Sequence, residues 1–156
     1  MGKWRDFVQE GFTQGTDASD YDKYMTYFAE DCEVIIGEGQ WAEPIRGRET
    51  WVTVQREWNN CFSNRRHNVR NSLEGEREAA FEVLLTATHT GDMPGPNGGY
   101  IRATGREVRW PMVLWDEYDE EGLIKVRRCY YDQTVLFTQL GIMPEIQGEE
   151  PAEAEA

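Results

Sequence analysis

Apolar residues return at helical intervals over the first third of the chain and at strand intervals after it. Trp4, Phe7, Val8 and Phe12 recur in three- and four-residue steps, which predicts a helix over residues 3–13. Gly15-Thr16-Asp17 interrupts it. Ser19 is placed to cap a second helix, in which Tyr21, Tyr24, Met25 and Phe28 share one face and which ends near Ala29. Cys32-Glu33-Val34-Ile35-Ile36 reads as a short strand stopped by Gly37. Residues 37–47 read as a Gly- and Pro-containing loop. Trp51, Val54, Trp58 and Phe62 then restore the helical period, predicting a third helix over 48–62.

The period then shortens to two. His67–Leu73 is moderately strand-like, and Glu74-Gly75-Glu76 forms a turn. Glu78–Thr90 is a long strand with Phe81, Val83, Leu85, Ala87 and His89 on one face. After the Gly/Pro-rich loop Gly91–Thr104 come strands at 106–118 and 123–131, joined by the hairpin turn Asp119-Glu120-Glu121-Gly122. A short helix runs from Asp132 through Leu140 and is closed by Gly141 and Pro144. Helices followed by hairpin-linked strands make an α+β domain, three N-terminal helices packed on a curved, mostly antiparallel sheet. The strands at 106–118 and 123–131 are apolar on both faces. This predicts that helices cover one face and a second copy of the chain the other, as a homodimer through the sheet.

Composition narrows the function. The 156 residues carry 12% aromatics, too many for a disordered chain, and a formal charge of −13. That balance argues against a nucleic-acid partner. No apolar run approaches the ~20 residues of a membrane-spanning helix. Part of the charge is local: residues 145–156 hold five Glu and no basic residue and read as a disordered acidic tail behind a domain at 1–144. Cys32, Cys61 and Cys129 are odd in number and widely spaced, so no metal site is expected. Free thiols and the lack of an apolar leader stretch in the first 20 residues fit a reducing, cytoplasmic setting.

Several strings, in order, resemble one family. These are Tyr27-Phe28-Ala29-Glu30-Asp31 before a short strand, and Arg46-Gly47-Arg48-Glu49 opening a helix. Thr88-His89-Thr90-Gly91 follows, with Thr104-Gly105-Arg106-Glu107-Val108 after a loop. The last are Tyr131-Asp132-Gln133 and Gln139-Leu140-Gly141-Ile142-Met143-Pro144. Over residues 20–144 the set resembles the SnoaL-like polyketide cyclases of the nuclear transport factor 2-like superfamily. The resemblance implies a cone-shaped α+β barrel around a hydrophobic small molecule. It implies a cyclase or isomerase working by proton transfer without a cofactor. Epoxide hydrolases, dehydratases and non-catalytic binding modules on the same fold are the alternatives.

By the same resemblance, Asp132 matches the cyclases' general acid/base; from its position alone it is also a helix N-cap. Arg128 and Tyr130 lie four and two residues before it. On a strand all three share a face, so they are expected to bind substrate. His89 is the second catalytic candidate, or else a core histidine bonded to the backbone. Tyr24, Tyr27, Trp41 and Trp58 are expected around the pocket, and Tyr24 or Tyr27 with Asp31 and His89 is an alternative acid/base group. His67, in the run Asn64-Arg65-Arg66-His67, reads as surface, and Asp116–Glu121 as a solvated hairpin tip.

Overall fold

The computed structural model describes residues 2–37, 43–143, 148 and 151–152. Trp41 and most of the acidic tail lie outside the described residues. Helix α1 (Lys3–Gly11) runs straight into a π-helical turn, Phe12–Thr16, and then α2 (Tyr21–Met25). The cap of α2 is Asp20, whose carboxylate accepts from the Lys23 amide, and not Ser19. Gly15 has no side chain because it cannot have one: a Cβ there would lie 2.7 Å from Tyr24 Cβ. That close approach seats the π-turn against α2.

Strand β1 (Phe28–Ile36) begins four residues before the predicted strand, because pairing with the sheet overrides the helical run ending at Phe28. The rest follows as β2 (Ile45–Arg46), α3 (Arg48–Asn59), β3 (Phe62–Glu74) and β4 (Glu78–His89). A small hairpin, β5 (Met93–Pro94) and β6 (Tyr100–Ile101), precedes β7 (Glu107–Tyr118), β8 (Ile124–Tyr131) and α4 (Gln133–Leu140). The main sheet has six strands in the order β2-β1-β8-β7-β4-β3. Only β1 and β8 pair in parallel; the other neighbours are antiparallel. This is the mixed α+β architecture the sequence predicts.

The inner face of the sheet holds the core. Val34, Phe81, Val83, Leu114 and Ile124 are buried there, and Trp4 of α1 stacks on Tyr118 at 3.6 Å. Burying such side chains contributes roughly 1.5–3 kcal/mol each. The outer face of β7 and β8 is left open within one chain. Val113, Trp115 and Tyr130 are exposed there, and Arg128 lies over the Trp115 ring at 4.9 Å while bonding Glu117 Oε2.

Candidate active site

The space between the inner sheet face, α3 and the π-turn is a cavity of about 800 Å³, its open mouth included. Trp58, Trp110 and Tyr131 form an aromatic wall, with Trp58 and Trp110 centroids 5.8 Å apart and Trp110 and Tyr131 centroids 4.6 Å apart. Flat apolar ligands suit such a wall.

His67 is on the cavity wall, not on the surface. A bulge in β3 between Ser63 and Arg66, with Asn64 at φ 52°, resets the strand's alternation and turns His67 inward. Its ring stacks on Phe12 at 4.3 Å. Asp17, just past the π-turn, meets it twice. Oδ1 is 2.6 Å from His67 Nδ1, and Oδ2 accepts from the His67 amide at 2.8 Å. Both Asp17 oxygens face N–H positions of His67, which favours the tautomer with the proton on Nδ1; in that tautomer Nε2 offers a lone pair. No hydrogen bond to Nε2 occurs among the described residues.

A second polar group sits in the same wall. Arg127 and Asp116 are both buried and form a two-pronged pair, Nε to Oδ1 at 2.8 Å and Nη2 to Oδ2 at 2.7 Å. Arg127 Nη1 also donates to the Tyr24 hydroxyl at 3.3 Å. Burial opposes the charge on Arg127, but the Asp116 carboxylate outweighs it and holds the guanidinium protonated. Burial pushes Tyr24 up to about 12, so its hydroxyl keeps its proton. Asp116 is therefore not part of a solvated hairpin tip.

The remaining candidates separate. Arg128 and Tyr130 face outward, because β8 turns Arg127, Cys129 and Tyr131 inward instead. Pairing sets that choice: Val34 and Ile36 of β1 sit beside Arg127 and Cys129. Asp132 is exposed and caps α4, accepting from the Thr134 amide at 2.9 Å. Hydrogen bonds from Thr134 hold its carboxyl below the usual range, the reverse of a raised general acid. His89 is fully buried beside Phe62, away from the cavity lining. Its Nδ1 accepts from the Thr104 amide at 3.2 Å, and burial lowers its pKa. Tyr24 and Trp58 line the cavity as expected. Tyr27 is buried and donates to Glu10 Oε1 at 2.6 Å, while Asp31 is exposed, so the Tyr–Asp–His alternative does not assemble.

Sequence reading missed Asp17, His67, Asp116 and Arg127. Cys129, also on the wall, is pushed up to about 12 by burial and stays a thiol, a poor nucleophile. Among the described residues no three metal-ligating side chains cluster, and no helix is long and apolar enough to cross a membrane.

The model of the SnoaL-like domain matches residues 8–127. The chain belongs to the SnoaL-like family. Solved structures agree in fold. A protein from Jannaschia sp. CCS1, provisionally named a SnoaL-like polyketide cyclase, superposes with a TM-score of 0.73 at 17% identity, over 89% of this chain and 92% of that one. IdmH from Streptomyces antibioticus, provisionally named a polyketide cyclase, gives 0.73 at 19% identity, over 90% and 99%. TsrD from Streptomyces laurentii gives 0.74 at 16% identity, over 92% and 99%. No curated protein matches the sequence closely enough to count as a relative. At these identities the likeness is of fold, and this SnoaL-like chain's chemistry rests on its own side chains.

Proposed function

We propose that this SnoaL-like protein is an enzyme that moves a proton on a hydrophobic, oxygenated small molecule, as a cyclase or isomerase. The observation that carries the reading is the Asp17–His67 pair, with His67 Nε2 left open on an apolar cavity wall. Nε2 takes a proton from carbon next to a substrate carbonyl. Asp17 holds the ring's orientation and stabilises the imidazolium that forms. Tyr24 accepts from Arg127, which leaves its own O–H to donate to the enolate oxygen. In an isomerisation the imidazolium returns the proton to another carbon. In an aldol cyclisation the enolate carbon attacks a second carbonyl, and the alkoxide takes the proton. Either sequence balances without an electron carrier, so it calls for no cofactor.

The test uses 1-tetralone as a probe ketone in D2O. The protein should accelerate exchange of its α-protons, and His67→Asn should remove about 10²–10⁴-fold of that acceleration. Exchange at the buffer rate, or unchanged exchange in a folded His67→Asn variant, refutes the reading. Tetralone binding without exchange would support the non-catalytic binding module instead.

The exposed outer sheet face supports a homodimer. Val113 pairs with Tyr130 and Trp115 with Arg128 across β7 and β8, so the apolar patch is contiguous. Arg128 and Glu117 beside it keep it near neutral and self-complementary about a two-fold axis. A monomer in light scattering at micromolar concentration refutes this.

A further inference from the structure

Helix α3 turns one row of side chains toward the cavity. Trp51, Gln55 and Asn59 all line it, at successive four-residue steps. Such a row runs along the helix with one group about every 6 Å. Trp51 is the least available of the three. Its Nε1 lies toward the Tyr24 hydroxyl, although no hydrogen bond of ordinary geometry joins them. Asn59 is different. It is only 2% exposed, and its Nδ2 finds no partner among the described residues. A buried amide without a partner is costly, so its retention on a cavity wall points to a ligand that satisfies it. The half-buried Gln55, one turn earlier, likewise makes no hydrogen bond to a described residue.

The row is anchored. Arg65 Nη1 donates to the Asn59 carbonyl at 3.0 Å and the Phe62 carbonyl at 2.7 Å. Arg65 Nη2 donates to the Thr16 carbonyl and to Ser19 Oγ, both at 2.7 Å. One guanidinium thus fixes the end of α3 to the end of the π-turn, one residue before Asp17. Asn59 and the Asp17–His67 pair are held in a common frame.

We propose that Gln55 and Asn59 form the specificity row of this cavity. They bond two oxygen functions carried along one edge of an elongated, flat, apolar ligand, about one helical turn apart. The aromatic wall takes the ligand's faces, and the amides take its edge. An amide both donates and accepts, so hydroxyl and carbonyl oxygens are both read. This deepens the proton-transfer reading, which concerns the same cavity, by naming the class of substrate. A ligand with its oxygens on that edge gains hydrogen bonds, and a bare hydrocarbon leaves Asn59 unsatisfied.

Equilibrium dialysis with naphthalene and 2,7-dihydroxynaphthalene, whose two hydroxyls share one long edge, tests it on the whole chain. Wild type should bind the diol about tenfold more tightly or better than the hydrocarbon. Asn59→Leu should bind naphthalene at least as well as wild type and bring the two affinities to within about threefold. An unchanged diol preference in Asn59→Leu, or none in wild type, overturns the proposal. If Asn59→Leu does not fold, Gln55→Leu decides the matter. It sits at a half-buried position and should lose part of the preference; full retention overturns the row. Tetralone exchange by wild type, measured beside the dialysis, separates a failure of the row from a failure of the proton-transfer reading. Binding of neither compound to wild type overturns the row.

Discussion

The cavity wall carries two pairs of a carboxylate with a basic side chain, which look alike in composition and differ in completeness. Arg127 and Asp116 hold each other at both ends: both carboxylate oxygens are taken by guanidinium N–H groups, and a third N–H goes to Tyr24. Asp17 and His67 leave one ring nitrogen without a partner. The first pair is sealed at 2% and 0% side-chain exposure, while Asp17 keeps 12%. A buried pair that commits both carboxylate oxygens and three of the five guanidinium N–H groups to its own partners mainly fixes a wall. An unsaturated pair on the same wall can exchange a proton. Bond inventory, more than charge or depth, separates framework from chemistry here.

The sharpest way to break that contrast is to unbalance the sealed pair. Asp116→Ala leaves a buried guanidinium with no counter-charge. It should cost about 3–5 kcal/mol of stability, read as a lower urea midpoint at unchanged slope. Replacing both partners, Asp116→Leu with Arg127→Met, should recover most of that loss, because the desolvation penalty disappears with the charges. If the double variant is as unstable as the single one, the pair does more than hold a wall.

The open pair should respond in the other currency. Asp17→Asn removes the carboxylate that fixes the His67 tautomer. Tetralone exchange should fall about 10²-fold, while stability falls by only about 1–2 kcal/mol. Equal losses in the Asp17 and Asp116 variants, by both readouts, would erase the distinction.

The two pairs also show what the sequence could carry. The long strands β4, β7 and β8 were legible to within two residues, because uninterrupted alternation and hairpin turns leave one register open. Which face of β8 turns inward was not legible. Arg128-Tyr130 and Arg127-Cys129-Tyr131 both mix polar and apolar residues, so only pairing with Val34, Ile36 and Leu114 decides between them. His67 was hidden by the bulge at Asn64, which breaks the alternation that would have revealed it. Asp17 was hidden because the helix did not end where Gly15 suggested; a π-turn carried it on and delivered the carboxylate to β3. Pattern reads regular elements, and in this protein the site is built where the regularity breaks.

His89 gives a smaller, pH-dependent contrast. It is buried like Arg127 but held neutral, with Nε2 unpartnered and its pKa lowered from the usual 6.5 by burial. Below that usual value the unfolded chain binds a proton that the folded chain refuses. Its contribution is therefore complete above about pH 6.5 and is lost as pH falls toward the lowered value. His89→Asn keeps an oxygen where Nδ1 accepts from Thr104 and cannot titrate. Urea midpoints should fall between pH 7 and pH 5 in wild type and fall less steeply in the variant. Parallel slopes would show that His89 does not titrate on unfolding.

Asp132 should give the smallest effect, and it separates the two kinds of carboxylate most simply. It is exposed, and its Oδ1 is engaged by both the Thr134 amide and the Thr134 hydroxyl, so it serves the cap of α4. A carboxylate whose pKa is lowered is a poor proton acceptor at neutral pH. Asp132→Asn should leave tetralone exchange within about twofold of wild type. Asn also caps helices well, so Tm should move little at pH 7. What stability the carboxylate does add is present above its ordinary pKa of 3.8 and lost as pH falls through its lowered value, so wild type and variant should converge in acid. A large loss of exchange in Asp132→Asn would move the proton transfer out of the Asp17–His67 pair and onto the cap of α4. Bonding saturation would then no longer distinguish framework from chemistry in this fold.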